Sequence, residues 1–286
     1  MQMQKIGSRG MLFTFEDQIS VYRIRGRQRC FLCDTHLGSL SMAVVKPGMR
    51  DAGMTEPVVF NTHSDWDHVW GNCAFPGALL VGHAACRSRL AERGTYELTE
   101  MAGYRRGTVE LRLPEVIFDS RLAFAADDVE FFHAPGHTRD SSVCHDREDS
   151  VLFMGDLVEA PIPYLDDEDL PRYLQTLEML RQFPARTKIT AHSGVVDTEL
   201  IEANMRYVEQ MLSGKPIPAE VYRGAESVQR FNRNNRLLLP LEKLARERQE
   251  DTWNYGVFHR CFSDLKQVDE VVLQREIERY QQQNDV

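Results

Sequence analysis

The sequence predicts an α+β fold in which two β-sheets pack face to face and helices cover both outer surfaces, a four-layer αββα sandwich. Three observations support this prediction. Strand-like runs fall into two groups along the chain, each group is followed by amphipathic helical segments, and polar residues follow several of the strands. The chain has 286 residues, which is enough for one large domain and an appendage.

The first group of strands opens with "MLFTF", "ISVYRI" and "CFLCD", which predict an antiparallel meander. A helix around 39–50 should follow, and then "EPVVFNT" as a buried strand. "ALLVG" predicts a further strand and "AACRSRLAERG" a helix, with Gly94 at its C-terminal cap. We expect residues 95–113 to form an irregular excursion over the surface.

The second group comprises five closely spaced runs, "EVIFD", "RLAFA", "DVEFFHA", "SSVCHD" and "SVLFMGD". "DEDLPRYLQTLEMLRQF" has leucines at helical spacing, "TKITAH" predicts another strand, and "DTELIEANMRYVEQML" predicts a helix capped by Asp197 or Thr198. After "SGKPIPAE" the composition becomes polar and rich in charge. We therefore expect a main domain over 1–214 and a C-terminal helical extension over 215–286.

Composition excludes several classes of protein. The formal net charge is -9, which argues against a nucleic-acid-binding surface. No apolar run approaches the ~20 residues that a membrane span needs. The six cysteines have no regular spacing, which is typical of reduced thiols in a cytoplasmic protein. Cys30 and Cys33 form a C-x-x-C, but they lie in a predicted strand, whereas a redox motif belongs at a helix start.

The stretch "NTHSDWDHVWG" carries the chemistry. It places His63, Asp65, Asp67 and His68 within six positions, directly after an apolar run. Further polar residues follow later strands: His137, Asp156 and His192. Loops at strand ends present ligands well, because the strand fixes the backbone while the loop frees the side chain. These residues together predict a metal site.

The order of these segments resembles the metallo-β-lactamase superfamily of dinuclear metal hydrolases, over roughly residues 11–212. That family carries H-x-H-x-D-H after a strand, then a distant histidine after Pro-Gly, an aspartate in Gly-Asp and a last histidine. "CDTH" is similar to its Asp-Thr-Gly turn. The resemblance implies two metal ions: the first held by His63, Asp65 and His137, the second by Asp67, His68 and His192, with Asp156 bridging both and Asp34 orienting a ligand histidine.

Asp65 departs from the family pattern, which has histidine there. A third carboxylate makes the centre less positive, so the ions should be weaker Lewis acids and should raise the pKa of bound water. Oxygen in place of nitrogen also favours harder ions. Zinc is the expected metal, and Asp65 makes iron or manganese more favourable than in the common form. Three alternatives stay open: an ordinary hydrolase with a shorter ligand, a weakened first site, and a diiron centre.

The resemblance implies hydrolysis of an ester, thioester, lactone, amide or phosphoester by a hydroxide held at the metals, with Asp67 and Asp156 as catalytic groups that position it and shuttle its proton. The alternative is a diiron protein doing redox chemistry with O2 or NO, since flavodiiron proteins also carry a carboxylate at this position. A non-enzymatic metal-dependent sensor is the third hypothesis. We expect a small-molecule substrate, no nucleic-acid or membrane partner, and a homodimer as one arrangement open to the C-terminal helices. The roles of His36 and His133 stay open.

Overall fold

The structure is a computed structural model. It describes residues 1–16, 18–50 and 57–214, and the single positions 228, 232, 234–236, 239, 271, 275 and 278. The strands are β1 Gln2–Ile6, β2 Gly10–Thr14, β3 Ser20–Arg25, β4 Cys30–Cys33, β5 Val58–Phe60, β6 Leu79–His83, β7 Val116–Phe118, β8 Arg121–Phe124, β9 Val129–His133, β10 Ser142–Asp146, β11 Val151–Phe153, β12 Thr187–Thr190 and β13 Gly194–Val196. The α-helices are α1 Ser39–Arg50, α2 Trp66–Val69, α3 Ala84–Glu100, α4 Leu170–Gln182 and α5 Thr198–Leu212.

The strands form two sheets. The first has the order β1-β2-β3-β4-β5-β6-β7, and the second has the order β13-β12-β11-β10-β9-β8. Strands β1 to β4 are antiparallel, which confirms the predicted meander, and β4 to β7 are parallel. In the second sheet, β11 and β12 are the parallel pair. Strands β9 and β11 are each antiparallel to β10, so β9, β11 and β12 run in the same direction and end at one edge of that sheet.

Three apolar clusters account for the layers. Between the sheets, the rings of Phe60 and Phe131 stack with centroids 4.1 Å apart, in a cluster built from both sheets. A second cluster buries α4 and α5 against the second sheet, and a third buries α1 against the first. Helices thus cover both outer surfaces, and the predicted αββα sandwich is confirmed.

Helices α4 and α5 both begin at a capping aspartate, and the cap of α5 is one of the two residues that the sequence predicts. The side chain of Asp169 accepts a hydrogen bond from the backbone N–H of Arg172 at the start of α4. Asp197 accepts one from Leu200 at the start of α5, so Asp197 is the N-cap. Each cap satisfies a backbone donor that the first turn of a helix leaves without an intrahelical partner.

The prediction for Gly94 was wrong. Helix α3 continues through it to Glu100, so the expected surface excursion begins later than residue 95. A Cβ on Gly94 would lie 2.7 Å from the side chain of Leu111. Gly94 therefore lies in close contact with the Leu111 side chain inside the helix and does not mark a helix end. Strands β1 and β13 were not predicted.

Other expectations have simple outcomes. Cys30 and Cys33 lie on β4 with buried thiols, as the strand prediction required. Within the described part of the chain, no helix is both long and apolar enough to cross a membrane. The proposed C-terminal extension and any dimer that it forms lie almost wholly outside the described residues.

Candidate metal centre

The predicted site residues come together at the strand ends. The segment from His63 to His68 follows β5 of the first sheet, while His137, Asp156 and His192 follow β9, β11 and β12 of the second. Because those three strands end at the same edge, their loops meet the loop after β5. The structure therefore assembles all of the predicted ligands at one edge of the sandwich.

The first group surrounds Asp65. The Nε2 atoms of His63 and His137 each lie 3.5 Å from Oδ2 of Asp65. They lie 3.8 and 3.9 Å from Oδ2 of Asp156. Two ligands of a tetrahedral ion with bonds of about 2.1 Å are separated by roughly 3.4 Å. The spacing therefore suits a single ion between these side chains.

The second group lies on the other side of Asp156. The Nε2 atoms of His68 and His192 are each 3.1 Å from Oδ2 of Asp156. Oδ2 of Asp67 lies 3.5 Å from Nε2 of His192 and 3.7 Å from Nε2 of His68. Oδ2 of Asp156 thus faces both groups, which is the position that a bridging ligand needs.

Buried polar atoms without partners test whether these residues fit metal ions. The Nε2 atoms of His63 and His137 and Oδ1 of Asp156 are buried and have no hydrogen-bond partner. A buried polar group without a partner is costly, roughly 1–3 kcal/mol each. Imidazole nitrogens and carboxylate oxygens that converge on one small space are the donor set of a divalent metal site. The residues fit.

The far sides of three of the four imidazole rings are fixed by hydrogen bonds. His68 donates a hydrogen bond from Nδ1 to Oδ2 of Asp34 over 3.0 Å. The Thr62 hydroxyl donates to the same oxygen over 2.7 Å and lies 3.0 Å from Nδ1 of His63, which can donate to it. Asp34 therefore orients one histidine of each group, and its predicted supporting role has a geometric basis. His137 donates from Nδ1 to the carbonyl oxygen of Tyr164 over 3.0 Å.

Backbone geometry explains two further features of the motif. Gly155 has φ +56, and a Cβ there would lie 2.8 Å from the Thr62 hydroxyl, so the residue before Asp156 must be glycine. His36 has φ 57, a conformation in which glycine is the usual residue. His36 stacks on Phe15 and its Nδ1 lies 2.7 Å from the hydroxyl of Ser41. These contacts give His36 a structural role.

The opposite charges of the histidines and aspartates in the site stabilise each other and shift their pKa values. Burial alone would lower the pKa of His137, but Asp65 and Asp156 raise it to about 10. Burial also opposes the charged form of His192, yet Asp156 and Asp67 raise its pKa well above the ordinary value. In the metal-free protein these histidines therefore carry protons at neutral pH, and metal ions must displace those protons when they bind.

The pKa values of the three aspartates shift in the opposite direction, downwards. Burial would raise the pKa of Asp65 and Asp156, but the adjacent histidines hold both well below the ordinary value. The pKa of Asp67 is lowered in the same way, by His68 and His192 against the effect of burial. All three carboxylates are thus ionised and ready to accept cations.

Exposure shows where a substrate can approach. The side chain of His192 is 26% exposed, and those of Asp65 and Asp67 are 15% and 16% exposed. His63 and His68 are buried. The site therefore opens on the side of the second group, between His192 and the two aspartates.

A buried set of charged side chains behind Asp65 was not predicted. Arg89, Arg93 and Glu97 lie on one face of α3, spaced by one helical turn. The two arginines pair with Asp140 and Asp166 from two loops that follow strands of the second sheet, and Glu97 pairs with Arg93. The spacing i, i+4, i+8 of "RSRLAERGTYE" could have indicated a shared face, but charged helix faces are usually solvated, so the pattern alone does not indicate burial.

His133 and the two tryptophans of the motif segment do not belong to the two groups of candidate ligands. His133 stacks on His83 with ring centroids 3.8 Å apart, and its Nε2 lies 2.8 Å from the carbonyl oxygen of Arg139. Trp70 is buried, and its ring lies 5.2 Å from that of Trp66, which is partly exposed beside Tyr104. His133 and Trp70 therefore support the loops that carry the ligands.

Comparison with known proteins agrees with the fold. A hydroxyacylglutathione hydrolase from Thermosynechococcus vestitus is 28% identical over 180 residues, covering 61% of this chain and 62% of that protein. The chain thus spans less than two thirds of that relative. The acyl-coenzyme A thioesterase MBLAC2 from Gallus gallus is 26% identical over 197 residues, covering 59% of this chain and 69% of that protein.

Among solved structures, a metallo-beta-lactamase from Pontibacter korlensis superposes with a TM-score of 0.59 at 19% identity, covering 73% of this chain and 98% of that chain. At this identity the likeness shows the fold. A family model described as the metallo-beta-lactamase superfamily matches residues 14–192, from the second strand to the last predicted ligand. The chain belongs to the metallo-beta-lactamase superfamily.

Proposed function

We propose that this protein is a hydrolase with a dinuclear metal centre and that its substrates are thioesters. The observation that carries the proposal is the position of Asp156, whose Oδ2 faces both groups of ligands at once, with separations of 3.1 Å to His68 and His192 and 3.8 Å to His63. A single carboxylate shared by two sets of histidines is suited to two ions. When bound, the metal ions would supply Lewis-acid activation of water and of the substrate carbonyl.

The residues of the chain define where the reaction would occur. His192 and Asp67 lie at the open side, so the substrate carbonyl approaches the second group first. Asp67 is ionised and partly exposed, and it is placed to orient the attacking water and to accept its proton. The thioester C–S bond breaks, the water oxygen remains in the carboxylic acid, and the thiolate leaves and takes up a proton.

The choice of thioesters over the other bonds rests on the relatives. Two of them are named for cleaving acylglutathione and acyl-coenzyme A, and both compounds join an acyl group to a thiol. Their chemistry extends to this chain as a proposal, because the two proteins are only 28% and 26% identical to it and the hydroxyacylglutathione hydrolase is matched over only 62% of its length.

A panel of acylated thiols tests the proposal. Protein loaded with zinc, manganese or iron is mixed with acylglutathione and acyl-coenzyme A esters, and thiol release is followed with a chromogenic thiol reagent. We expect turnover that disappears on chelation and falls by about a hundredfold or more in Asp67→Asn. The matched control is Asp119→Asn, a substitution outside the ligand groups. Absence of thiol release by protein shown to hold two ions would overturn the thioesterase proposal.

One observation favours a second candidate. Oδ2 of Asp65 lies 3.5 Å from the Nε2 atoms of both His63 and His137, a spacing that suits a third ligand of the same ion. The first site therefore has a carboxylate oxygen where the common form of the family has an imidazole nitrogen. A diiron centre doing redox chemistry with O2 or NO would suit such a donor set. Iron as the metal bound during expression, with an absorption band that reductant bleaches, would favour it. Zinc as the bound metal would exclude it.

A further inference from the structure

The two oxygens of Asp65 face different surroundings. Oδ2 points to the Nε2 atoms of His63 and His137, at 3.5 Å from each. Oδ1 is buried, makes no hydrogen bond, and lies 3.7 Å from Nη2 of Arg93. Asp65 is the N-cap residue of α2, but its side chain makes no capping hydrogen bond. Its orientation is therefore not explained by the helix start.

Arg93 reaches this position from the interior of α3. Its side chain is only 2% exposed, and besides Asp65 its guanidinium pairs with Glu97 at 3.2 Å and Asp166 at 3.7 Å. Burying a cation is expensive unless carboxylates compensate for the lost hydration. A cation beside a metal site also disfavours the metal, unless a carboxylate stands between them. Asp65 lies between Arg93 and the two histidines of the first group.

The neighbouring residues make this arrangement rigid. Arg89, one turn earlier on α3, pairs with Asp166 at 2.9 Å and with Asp140 at 3.1 Å. The backbone N–H of Asp166 donates to the carbonyl oxygen of His137 over 3.1 Å. The segment that carries a ligand of the first group is thus tied to the same arginines that face Asp65. Arginine suits this task because its planar fork stays charged and can contact several carboxylates at once.

We propose that Arg93 is a positioning residue for the first metal position: its charge attracts Oδ1 of Asp65 across 3.7 Å, so that Asp65 offers the metal a single oxygen, Oδ2. The proposal rests on the dinuclear centre proposed above. It explains how a carboxylate replaces the usual histidine without turning to bind the ion through both oxygens. It also assigns the buried charges of α3 a role in metal binding.

A double-mutant cycle tests this role through metal affinity, which does not depend on turnover. Wild type, Arg93→Met, Asp65→His and the double variant are titrated with zinc and with manganese at buffered free-metal concentrations, and bound metal is measured by elemental analysis. We expect Arg93→Met to weaken the first site by roughly 10- to 100-fold when Asp65 is present. In the Asp65→His background the same change should have less than about threefold effect, because the group that Arg93 holds is gone.

Controls separate positioning from stability. Arg9→Met removes another buried arginine, paired with Asp146 away from the ligand groups, and should lower stability but not metal affinity. Arg93→Lys keeps the charge and should recover part of the affinity, and it serves if Arg93→Met does not fold. Equal weakening by Arg93→Met in both backgrounds, or no weakening in either, would overturn the proposal. A wild type that binds no metal would instead overturn the dinuclear centre itself.

Discussion

At the scale of single residues, the site is governed by how buried charges are paired. Asp34 orients a histidine of each ligand group, and Arg93 faces the aspartate that departs from the family pattern. The four motif residues and the three later ligands could be named from the sequence, because their order and their place after strands are local features. Arg93 and Glu97 could not be identified from the sequence, because the burial of a helix face depends on what packs against it.

Glu97 should make stability depend on pH. Burial raises the pKa of Glu97 to about 7, with Arg93 opposing the shift, and its Oε2 is buried without a hydrogen-bond partner. The raised pKa means that the folded state favours the protonated carboxyl group, so the contribution to stability is complete below the ordinary pKa near 4.5. It is lost as the pH rises through about 7. The difference between these two limits corresponds to roughly 3 kcal/mol of unfolding free energy.

The variant Glu97→Gln should remove this dependence, because the amide resembles the protonated carboxyl group. Urea unfolding of the metal-free protein at pH 5 and at pH 8 measures it. We expect the variant to gain stability relative to wild type as pH rises, by about 2–3 kcal/mol between the two conditions. A difference between variant and wild type that is the same at both pH values would contradict the assignment.

At the scale of elements, strand ends and close helix contacts place the ligands. Strand alternation and helical periodicity predicted most of the strands and the helices that follow them, but β7, which was predicted within the second group of strands, pairs with β6 in the first sheet. They did not predict β1, whose residues are mostly exposed, or β13, which has only three residues. They also misplaced the end of α3, because Gly94 resembles a helix cap in sequence, whereas the helix continues through it and packs there against Leu111.

Gly71 provides a test of how the element after the motif is held. Its backbone N–H donates to the carbonyl oxygen of His36 over 3.1 Å, and a Cβ there would overlap the carbonyl oxygen of Thr35. Gly71→Ala should therefore push the segment with His68 away from Asp34, since a rigid backbone carbonyl cannot move aside cheaply.

We expect Gly71→Ala to lower the unfolding free energy by about 1–3 kcal/mol and to weaken metal binding at the second site. Thermal unfolding and metal titration measure the two effects. Gly103→Ala is the matched control, because a Cβ there would meet nothing within 4 Å, and it should leave both quantities unchanged. A Gly71→Ala protein with wild-type metal affinity would show that contact with Thr35 does not set the position of His68.

At the scale of the whole molecule, two sheets formed by successive parts of the chain each contribute one side of the site. Loops of the first sheet carry His63, Asp65, Asp67 and His68, and loops of the second sheet carry His137, Asp156 and His192. The fold class was predictable because the order of strands and helices leaves few ways to bury their apolar faces. The separations between ligands were not predictable, because they depend on how the sheets pack at one edge.

The number of metal ions per chain tests the central claim most directly. Protein expressed without added metal, then equilibrated with zinc or manganese and freed of excess, is analysed for its elements against protein concentration. The account predicts two equivalents per chain in wild type, and one in His192→Ala, which removes a ligand of the second group alone. A wild type that saturates at one equivalent, or that binds none, would contradict a centre in which Asp156 joins two ions.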